Sequence, residues 1–188
     1  MRRFQPSLLT VLAIMFALVA PEARASRLPD AVRADEPGLQ MVGGGQLRWL
    51  GGPIYEASLW TPAGRFGGYV AGEPVVLTLW YQRAFTRQQL LRIVGLAWQR
   101  LDSHDERTRD LWISELGKVW SGVEPGHNLT AVVIPGRETR FYDHERWLGR
   151  ISDPQFGPAF LDIWLDQSSV VSDLRVQLLG QARDATGP

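Results

Sequence analysis

Apolar residues recur at every second position in some regions of this chain and about every 3.6 residues in others. Short runs rich in β-branched and aromatic residues, punctuated by glycine and proline, occupy residues 46–81 and again residues 129–151. Between these regions and after them, apolar residues recur at helical spacing. An order of strands, two helices, strands and two further helices favours an α+β domain in which helices cover one face of a mainly antiparallel sheet.

The predicted strands are short and sharply bounded. Gly51-Gly52 separates two β-rich runs, which is typical of a hairpin. The most strand-like run, residues 75–81, carries Val, Leu, Thr, Trp and Tyr without interruption. A polar Asp-His-Glu sequence at residues 143–145 links two later runs. The predicted strands are residues 46–50, 54–60, 75–81, 129–134, 138–142 and 146–151.

Four helices are predicted from apolar spacing and from capping residues. Thr86, with Gln89 three residues later, forms a capping box. Asp153-Pro154 is typical of a helix start, and Gly180 is typical of a helix end. The helices are expected over about residues 86–101, 103–120, 154–164 and 170–179.

The first 25 residues are typical of an export signal. Two arginines supply a positive start, residues 8–20 form an apolar run, and Ala23 and Ala25 are the small residues that a signal peptidase requires. The run is too short to cross a bilayer comfortably. We therefore expect cleavage after Ala25, no integral membrane anchor afterwards, and a periplasmic or secreted protein.

The length and charge of the remaining chain limit its number of domains and its classes of partner. Removing 25 of the 188 residues leaves 163, enough for one domain with a substantial core. Basic and acidic residues number 20 each, which argues against nucleic acid as a partner. The predicted organisation is a signal peptide at 1–25, a flexible segment at 26–40, one domain at 41–182 and a disordered tail at 183–188.

The absence of cysteine excludes disulfides, thiol catalysis and thiolate metal sites. The three histidines, His104, His127 and His144, are far apart in sequence, and no pair has the i, i+4 spacing of a helical metal site. We therefore predict no metal site and expect residues 143–145 to form a solvated turn. Axial ligation of a haem by one of the histidines stays open.

Arg48 lies between two apolar residues of a predicted strand, so its side chain points to the opposite face from both. If Gly51-Gly52 is the centre of the turn, Arg48 pairs with Tyr55 across the hairpin. A guanidinium beside a phenol could hold a carboxylate or polarise a phenolate or carbonyl oxygen. The alternative is an arginine stacked on an aromatic ring at a solvated face.

Three stretches resemble chalcone-isomerase-like proteins, in particular their bacterial exported branch. GGGQLRWLGGPIYEASLW is similar to the opening hairpin of that family, in which glycines precede an arginine. The other two are VVLTLWYQRAFTRQQLL and RFYDHERWLGRISDPQFGPAFLDIWLDQSSVVSDLRVQLLG. Together the three stretches span about residues 42–180, nearly the whole predicted mature chain.

The resemblance implies an open-faced β-sandwich, with a large antiparallel sheet, helices layered on one face and an apolar cleft between them. Plant enzymes of the family close the phenolate of a chalcone onto its enone to form a flavanone. Non-catalytic relatives bind fatty acids, and the resemblance to bacterial relatives implies other apolar ligands, haem among them. An arginine matching Arg48 is shared by the enzyme and the fatty-acid binders. Where the enzymes hold a catalytic tyrosine, this chain offers Trp112 and Trp120 and no tyrosine.

We therefore expect a protein without catalytic activity that binds a small apolar ligand with an acidic head, either fatty-acid-like or haem. Arg48 and Tyr55 would hold the head, and they would be the catalytic pair if the protein were instead an isomerase of a phenolic or enone substrate. A third possibility is an accessory partner of an envelope complex, its cleft filled by its own side chains. The other expected cleft residues are Trp80, Tyr81, Trp98 and Trp112.

Overall fold

The computed structural model describes residues 27–144 and 146–181 of the chain. Its centre is a six-stranded antiparallel sheet in which each strand pairs with its neighbour along the chain. The six predicted strands are present, and the first begins earlier than predicted because the glycine run lies inside it. The strands are β1 (Gln40–Trp49), β2 (Gly52–Thr61), β3 (Val75–Tyr81), β4 (Asn128–Ile134), β5 (Glu138–Asp143) and β6 (Arg146–Ile151).

The capping residues begin two helices where the sequence predicts them. The Thr86 hydroxyl accepts a hydrogen bond from the backbone N–H of Gln89 at 3.2 Å, and the Gln89 side chain accepts one from the Thr86 N–H at 2.8 Å. Asp105 caps the next helix through the N–H of Thr108. The helices are α1 (Asp30–Asp35), α2 (Arg87–Leu101), α3 (Glu106–Val119), α4 (Phe156–Leu165) and α5 (Ser172–Leu178).

Alternation along the strands divides the apolar side chains between the two faces of the sheet. On the inner face, Leu77, Leu79 and Phe141 belong to one core cluster with residues of α2, α3, α4 and α5. The predicted α+β architecture, with helices layered on one face of a large antiparallel sheet, is confirmed.

The short helix α1 covers part of the outer face. Leu28 and Val32 are buried against valines of β3 and β4. The Tyr142 hydroxyl, also on this face, donates a hydrogen bond to the Asp35 carboxylate at 2.6 Å. The described part of the segment that we expected to be flexible at residues 26–40 thus packs on the sheet, which corrects that expectation: Leu28, just before α1, and Val32, within it, are both buried there.

The tip of the β1–β2 hairpin lies one residue earlier than predicted. Trp49 pairs with Gly52, so Leu50 and Gly51 form the turn. Both turn residues have positive φ, 47° and 75°. Two-residue turns with this backbone match the twist of the flanking strands, and glycine at the second position fits that requirement.

A bulge next to this turn changes which residues face each other. Ile54 is an extra residue in β2, so Tyr55 pairs with Leu47, whereas Arg48 pairs with Pro53. The predicted pairing of Arg48 with Tyr55 is therefore wrong. Tyr55 faces the helices, on the same side of β2 as Ala57 and Leu59, whereas Arg48 lies at the exposed end of the hairpin.

Helix α5 lies directly on the backbone of β1. A Cβ built on Gly43 would be 2.7 Å from the carbonyl oxygen of Leu178 and would overlap that of Gln177. A Cβ on Gly45 would overlap the side chain of Gln177. Two glycines of the run are therefore needed for this close approach of helix and strand.

Within the described residues, no helix is both long and apolar enough to cross a membrane. The predicted signal peptide at residues 1–25 and the predicted tail at residues 183–188 lie outside the described residues.

Candidate functional site

A cavity of about 910 Å³ lies between the sheet and the helices. Strands β1 to β4 line one side, and helices α2, α4 and α5 line the other. Small-molecule sites have volumes of about 300–1,000 Å³, so this cavity is large enough for an extended ligand.

The buried part of the lining, which we call the floor, is almost wholly apolar. It combines side chains from the middle of the sheet with aromatic residues from α4 and from the end of α3. These side chains are buried within the main core cluster, so they are fixed in position by packing. The floor includes Tyr55, Leu79, Tyr81, Trp120, Phe160 and Trp164.

The exposed part of the lining, which we call the mouth, combines large apolar side chains with charged ones. Trp49 is 67% exposed, and the other apolar members are at least half exposed. The charged side chains among the described lining residues are Arg48, Arg100 and Asp173, so two positive charges stand against one negative charge. The mouth comprises Arg48, Trp49, Ile93, Leu96, Arg100, Val170 and Asp173.

Two polar atoms in the floor satisfy each other. The Trp164 indole Nε1 donates a hydrogen bond to the Tyr55 hydroxyl at 2.9 Å. The Tyr55 ring also meets that of Tyr81 edge to face, with ring centroids 5.6 Å apart. Register explains the arrangement, because Tyr55 and Tyr81 pair directly across β2 and β3 and share one face.

The two phenols of the floor remain protonated at neutral pH. Burial raises the pKa of Tyr55 to about 12, against a smaller opposing effect of the Trp164 hydrogen bond. Burial, together with the neighbouring Tyr55, raises the pKa of Tyr81 well above its usual range. Neither phenol therefore supplies a base for proton transfer at neutral pH.

The floor also contains one donor without an acceptor. The Nε1 of Trp120 is buried and makes no hydrogen bond within the described part of the chain. Its ring packs edge to face on Phe160, with centroids 5.8 Å apart. A buried N–H left unpaired costs about 1–3 kcal/mol.

Arg48 lies at the mouth rather than on the floor. Its side chain is exposed and donates hydrogen bonds to the Gln46 side chain at 2.9 Å and to the Gly51 carbonyl at 2.6 Å. These two contacts hold the guanidinium at the edge of the cavity. Arg48 and Tyr55 both line the cavity, as the sequence predicts, but at different depths.

Trp80 does not line the cavity, although its neighbour Tyr81 does. Adjacent residues of a strand point to opposite faces, and Trp80 points to the outer face. There its Nε1 donates to the carbonyl of Arg27 at 3.3 Å, and its ring contacts that of His144. Our expectation that Trp80 and Tyr81 both line the cleft is therefore corrected, because the two side chains lie on opposite faces of β3.

Trp98 and Trp112 belong to the core between helices and not to the cavity lining. The Trp98 Nε1 donates to the carbonyl of Ala159 at 2.8 Å, and the Trp112 Nε1 donates to the Asp153 carboxylate at 2.8 Å. Their rings are in contact, with centroids 5.3 Å apart. Both tryptophans thus fasten α2 and α3 to the start of α4, and our prediction that they line the cleft is corrected.

The three histidines lie away from the cavity lining. His104 contacts the Trp112 ring and hydrogen-bonds Ser103 at 2.8 Å. His127 and His144, which are far apart in sequence, have ring centroids 4.4 Å from each other. Strand pairing is the reason, because one precedes β4 and the other follows β5, and these strands are antiparallel neighbours.

Sequence reasoning assigned no cavity role to Trp164 or Trp120, although both form the floor. Trp164 lies four residues after Phe160, so the two share one face of α4. That spacing indicates a buried stripe, but it does not tell a cavity wall from a filled core. Trp120 lies just after the last residue of α3, where helical spacing no longer predicts the direction of a side chain.

An apolar cavity with a charged mouth, set between an open antiparallel sheet and a helical layer, defines a class of small α+β proteins built around an internal ligand-sized space. The model of a chalcone isomerase-like family matches residues 20–180 of the chain. The protein therefore belongs to the chalcone isomerase-like family, as the resemblance implied.

Solved structures share this fold. One is the crystal structure of a fatty-acid binding protein of Arabidopsis thaliana, with a TM-score of 0.62 and 10% sequence identity. The match covers 78% of this chain and 89% of that one. At this identity the likeness establishes the fold alone. No curated protein is similar in sequence to the chain.

Proposed function

We propose that this protein is an exported, non-catalytic carrier of a small apolar ligand with an acidic head, of the fatty-acid type. The apolar tail lies in the cavity and the carboxylate lies at the mouth. The observation that carries the proposal is the combination of a cavity of about 910 Å³ with the guanidinium groups of Arg48 and Arg100 at its edge. Arginine is well suited to a carboxylate because its planar fork donates two parallel hydrogen bonds.

Fold and family support binding of this kind. The family match covers most of the chain, and one structural neighbour with the same fold is a fatty-acid binding protein. The open cavity speaks against an accessory protein whose cleft is filled by its own side chains. Export is part of the proposal and rests on the first 25 residues of the sequence. The mass of the mature protein, recovered from a bacterial periplasm, tests cleavage after Ala25.

The site favours a carrier over an isomerase. A ring-closing isomerase needs a group that manages a proton or stabilises an oxyanion beside the reacting atoms. Neither phenol of the floor can act as a base at neutral pH, and Arg48 is held at the edge by Gln46 and Gly51. A haem fits less well than a fatty acid, because none of the three histidines lines the cavity.

Binding is tested with untagged, delipidated mature protein. We titrate a long-chain fatty acid and, as a matched ligand, the alcohol of the same chain length. Arg48→Ala and Arg100→Ala each weaken binding of the acid by about tenfold, the value of one charge-assisted hydrogen bond, and leave binding of the alcohol unchanged. Arg92→Ala is the control, because Arg92 is exposed on the same helix as Arg100 but does not line the cavity.

Four outcomes contradict the proposal in whole or in part. One is the absence of saturable binding of either ligand. Another is an equal effect of the arginine variants on acid and alcohol, which would mean that the head is not held at the mouth. The third is loss of chalcone absorbance above the spontaneous rate with wild type and not with Arg48→Ala, which would make the protein an isomerase. The fourth is a Soret band in the absorbance spectrum of the purified protein, which would identify haem as the ligand in place of a fatty acid.

A further inference from the structure

A second site lies outside the cavity, where β4 begins and β5 ends. His127 immediately precedes β4, and Asp143 and His144 stand at the end of β5. Antiparallel pairing of Leu129 with Asp143 brings the two ends together. One ligand atom from each of His127, Asp143 and His144 lies within 4.8 Å of the others. We call these three residues the His-Asp-His cluster.

The carboxylate of the cluster is buried and only half satisfied. Asp143 is 6% exposed, and its Oδ1 makes no hydrogen bond within the described part of the chain. Its other oxygen, Oδ2, accepts a hydrogen bond from the Arg146 side chain at 2.9 Å. A buried carboxylate oxygen without a partner is unfavourable, because ionised groups lose their hydration on burial.

Oδ1 faces a histidine. It lies 3.9 Å from Nδ1 of His127, which is too far for a hydrogen bond. An ion placed between the imidazole and the carboxylate would satisfy both groups.

The turn between β5 and β6 places His144 beside His127. His144 has a φ of 53°, which suits the first position of a two-residue turn closed by the pair Asp143 and Arg146. This backbone holds its ring next to that of His127, with centroids 4.4 Å apart, while the Trp80 ring supports it from the side. Two imidazoles held side by side next to a buried carboxylate are poorly explained by packing alone.

We propose that the His-Asp-His cluster binds a divalent transition-metal ion of the zinc class. Imidazole nitrogens and one carboxylate oxygen form a donor set that suits Zn²⁺, Ni²⁺, Co²⁺ or Cu²⁺, whereas Mg²⁺ and Ca²⁺ require more oxygen donors. Ligand atoms about 2.1 Å from the metal stand closer together than 4.8 Å, so the cluster contracts on binding. The imidazoles are not fully buried and can rotate to achieve this.

The Arg146 side chain orients the carboxylate without occupying the metal position. It contacts Oδ2 only, and it is 74% exposed, so solvent screens its charge. A hydrogen bond to the second oxygen of a ligating carboxylate is a common outer support of metal sites. The ion would fasten the start of β4 to the β5–β6 turn, and three protein ligands would leave a coordination position for water.

The test uses untagged protein stripped of metal with a chelator. Isothermal titration with ZnCl₂ is expected to give one ion per chain, and MgCl₂ is expected to give no saturable heat. His127→Ala and His144→Ala each weaken Zn²⁺ binding at least about tenfold. His104→Ala is the matched control and leaves binding unchanged, because His104 lies against Trp112, outside the cluster.

A measurement on the wild type keeps the proposal falsifiable if a variant fails to fold. Co²⁺ bound by two imidazoles and a carboxylate gives an intense visible spectrum and paramagnetically shifted signals from two histidines. The spectrum of free aqueous Co²⁺ at protein excess would overturn the proposal. Absence of saturable Zn²⁺ binding, or an equal loss of affinity in His104→Ala, would overturn it as well. None of these results depends on whether the cavity binds a fatty acid.

Discussion

The indole nitrogen of Trp164 donates its proton to the hydroxyl oxygen of Tyr55 across 2.9 Å, at the floor of the cavity. One residue belongs to β2 and the other to α4, and both are buried. Their bond satisfies the indole N–H in an apolar wall and fixes the distance between sheet and helix at that point.

Tyr55→Phe is expected to lower the free energy of unfolding by about 1–3 kcal/mol, because the Trp164 N–H is left buried without an acceptor. Urea denaturation followed by tryptophan fluorescence measures the change. In a Trp164→Phe background, adding Tyr55→Phe should lower the free energy of unfolding by clearly less, because the indole N–H donor is already absent. Equal effects in both backgrounds would show that the hydrogen bond carries no stability.

Alkaline pH should destabilise the fold through its four tyrosines. Burial is the main cause that raises the pKa of each, to about 12 for Tyr55 and further for the others. The unfolded chain releases these protons near pH 10, whereas the folded chain retains them. Their contribution is therefore fully present below about pH 10 and is lost as pH rises toward 12, at about 1.4 kcal/mol per pH unit for Tyr55.

A spectrophotometric titration checks this expectation. Native protein should show no tyrosinate absorbance near pH 10, and the signal should rise only together with loss of the circular dichroism of the fold. Protein in denaturant should titrate near pH 10. A native titration at the ordinary tyrosine position, with the fold intact, would contradict the burial of the phenols.

Gly43→Ala should destabilise the protein by several kcal/mol, because the new Cβ would overlap the backbone of α5 at Gln177. Gly67→Ala is the matched control. A Cβ at Gly67 meets nothing within 4 Å, and its φ is not in the left-handed region, so the change should be nearly neutral or slightly stabilising. Thermal unfolding of the two variants, side by side, measures the difference. Similar melting temperatures would mean that α5 does not require the close approach.

Ala97→Phe should fill part of the cavity from α2 and weaken fatty-acid binding by at least about tenfold. Ala97 lines the cavity and is partly exposed, so the larger ring has room and the fold should persist. Ala84→Phe adds the same ring at an exposed position outside the lining and should leave binding unchanged. Ligand titration of both variants gives the comparison, and unaltered binding in Ala97→Phe would place the ligand elsewhere.

The sheet and the helices could be predicted because each is encoded by nearby residues. The Thr86–Gln89 capping box and the unbroken strand at residues 75–81 are local signals, and both are confirmed. Helix α1 escaped prediction because Leu28 and Val32 are isolated apolar residues whose burial depends on an outer sheet face that sequence does not display.

The site could be predicted only in part. Tyr81 lines the cavity as expected, but Trp80 follows the alternation of the strand to the other face. The turn falls at Leu50-Gly51 and not at Gly51-Gly52, so Arg48 pairs with Pro53 instead of Tyr55, and the glycines alone do not tell the two turn positions apart. The contact of His127 with His144 depends on the pairing of β4 with β5, which no spacing along the chain reveals.

The strand order has a consequence for how the molecule folds. Each strand pairs with its sequence neighbour. Three of the five pairings close links of two or three residues, β2 and β3 are joined by residues 62–74, and β3 and β4 are separated by α2 and α3. Closing that long loop carries the largest entropic cost and brings α2 over the sheet. The ligand space is therefore expected to be absent from early folding intermediates and to arise only once the two halves of the sheet join.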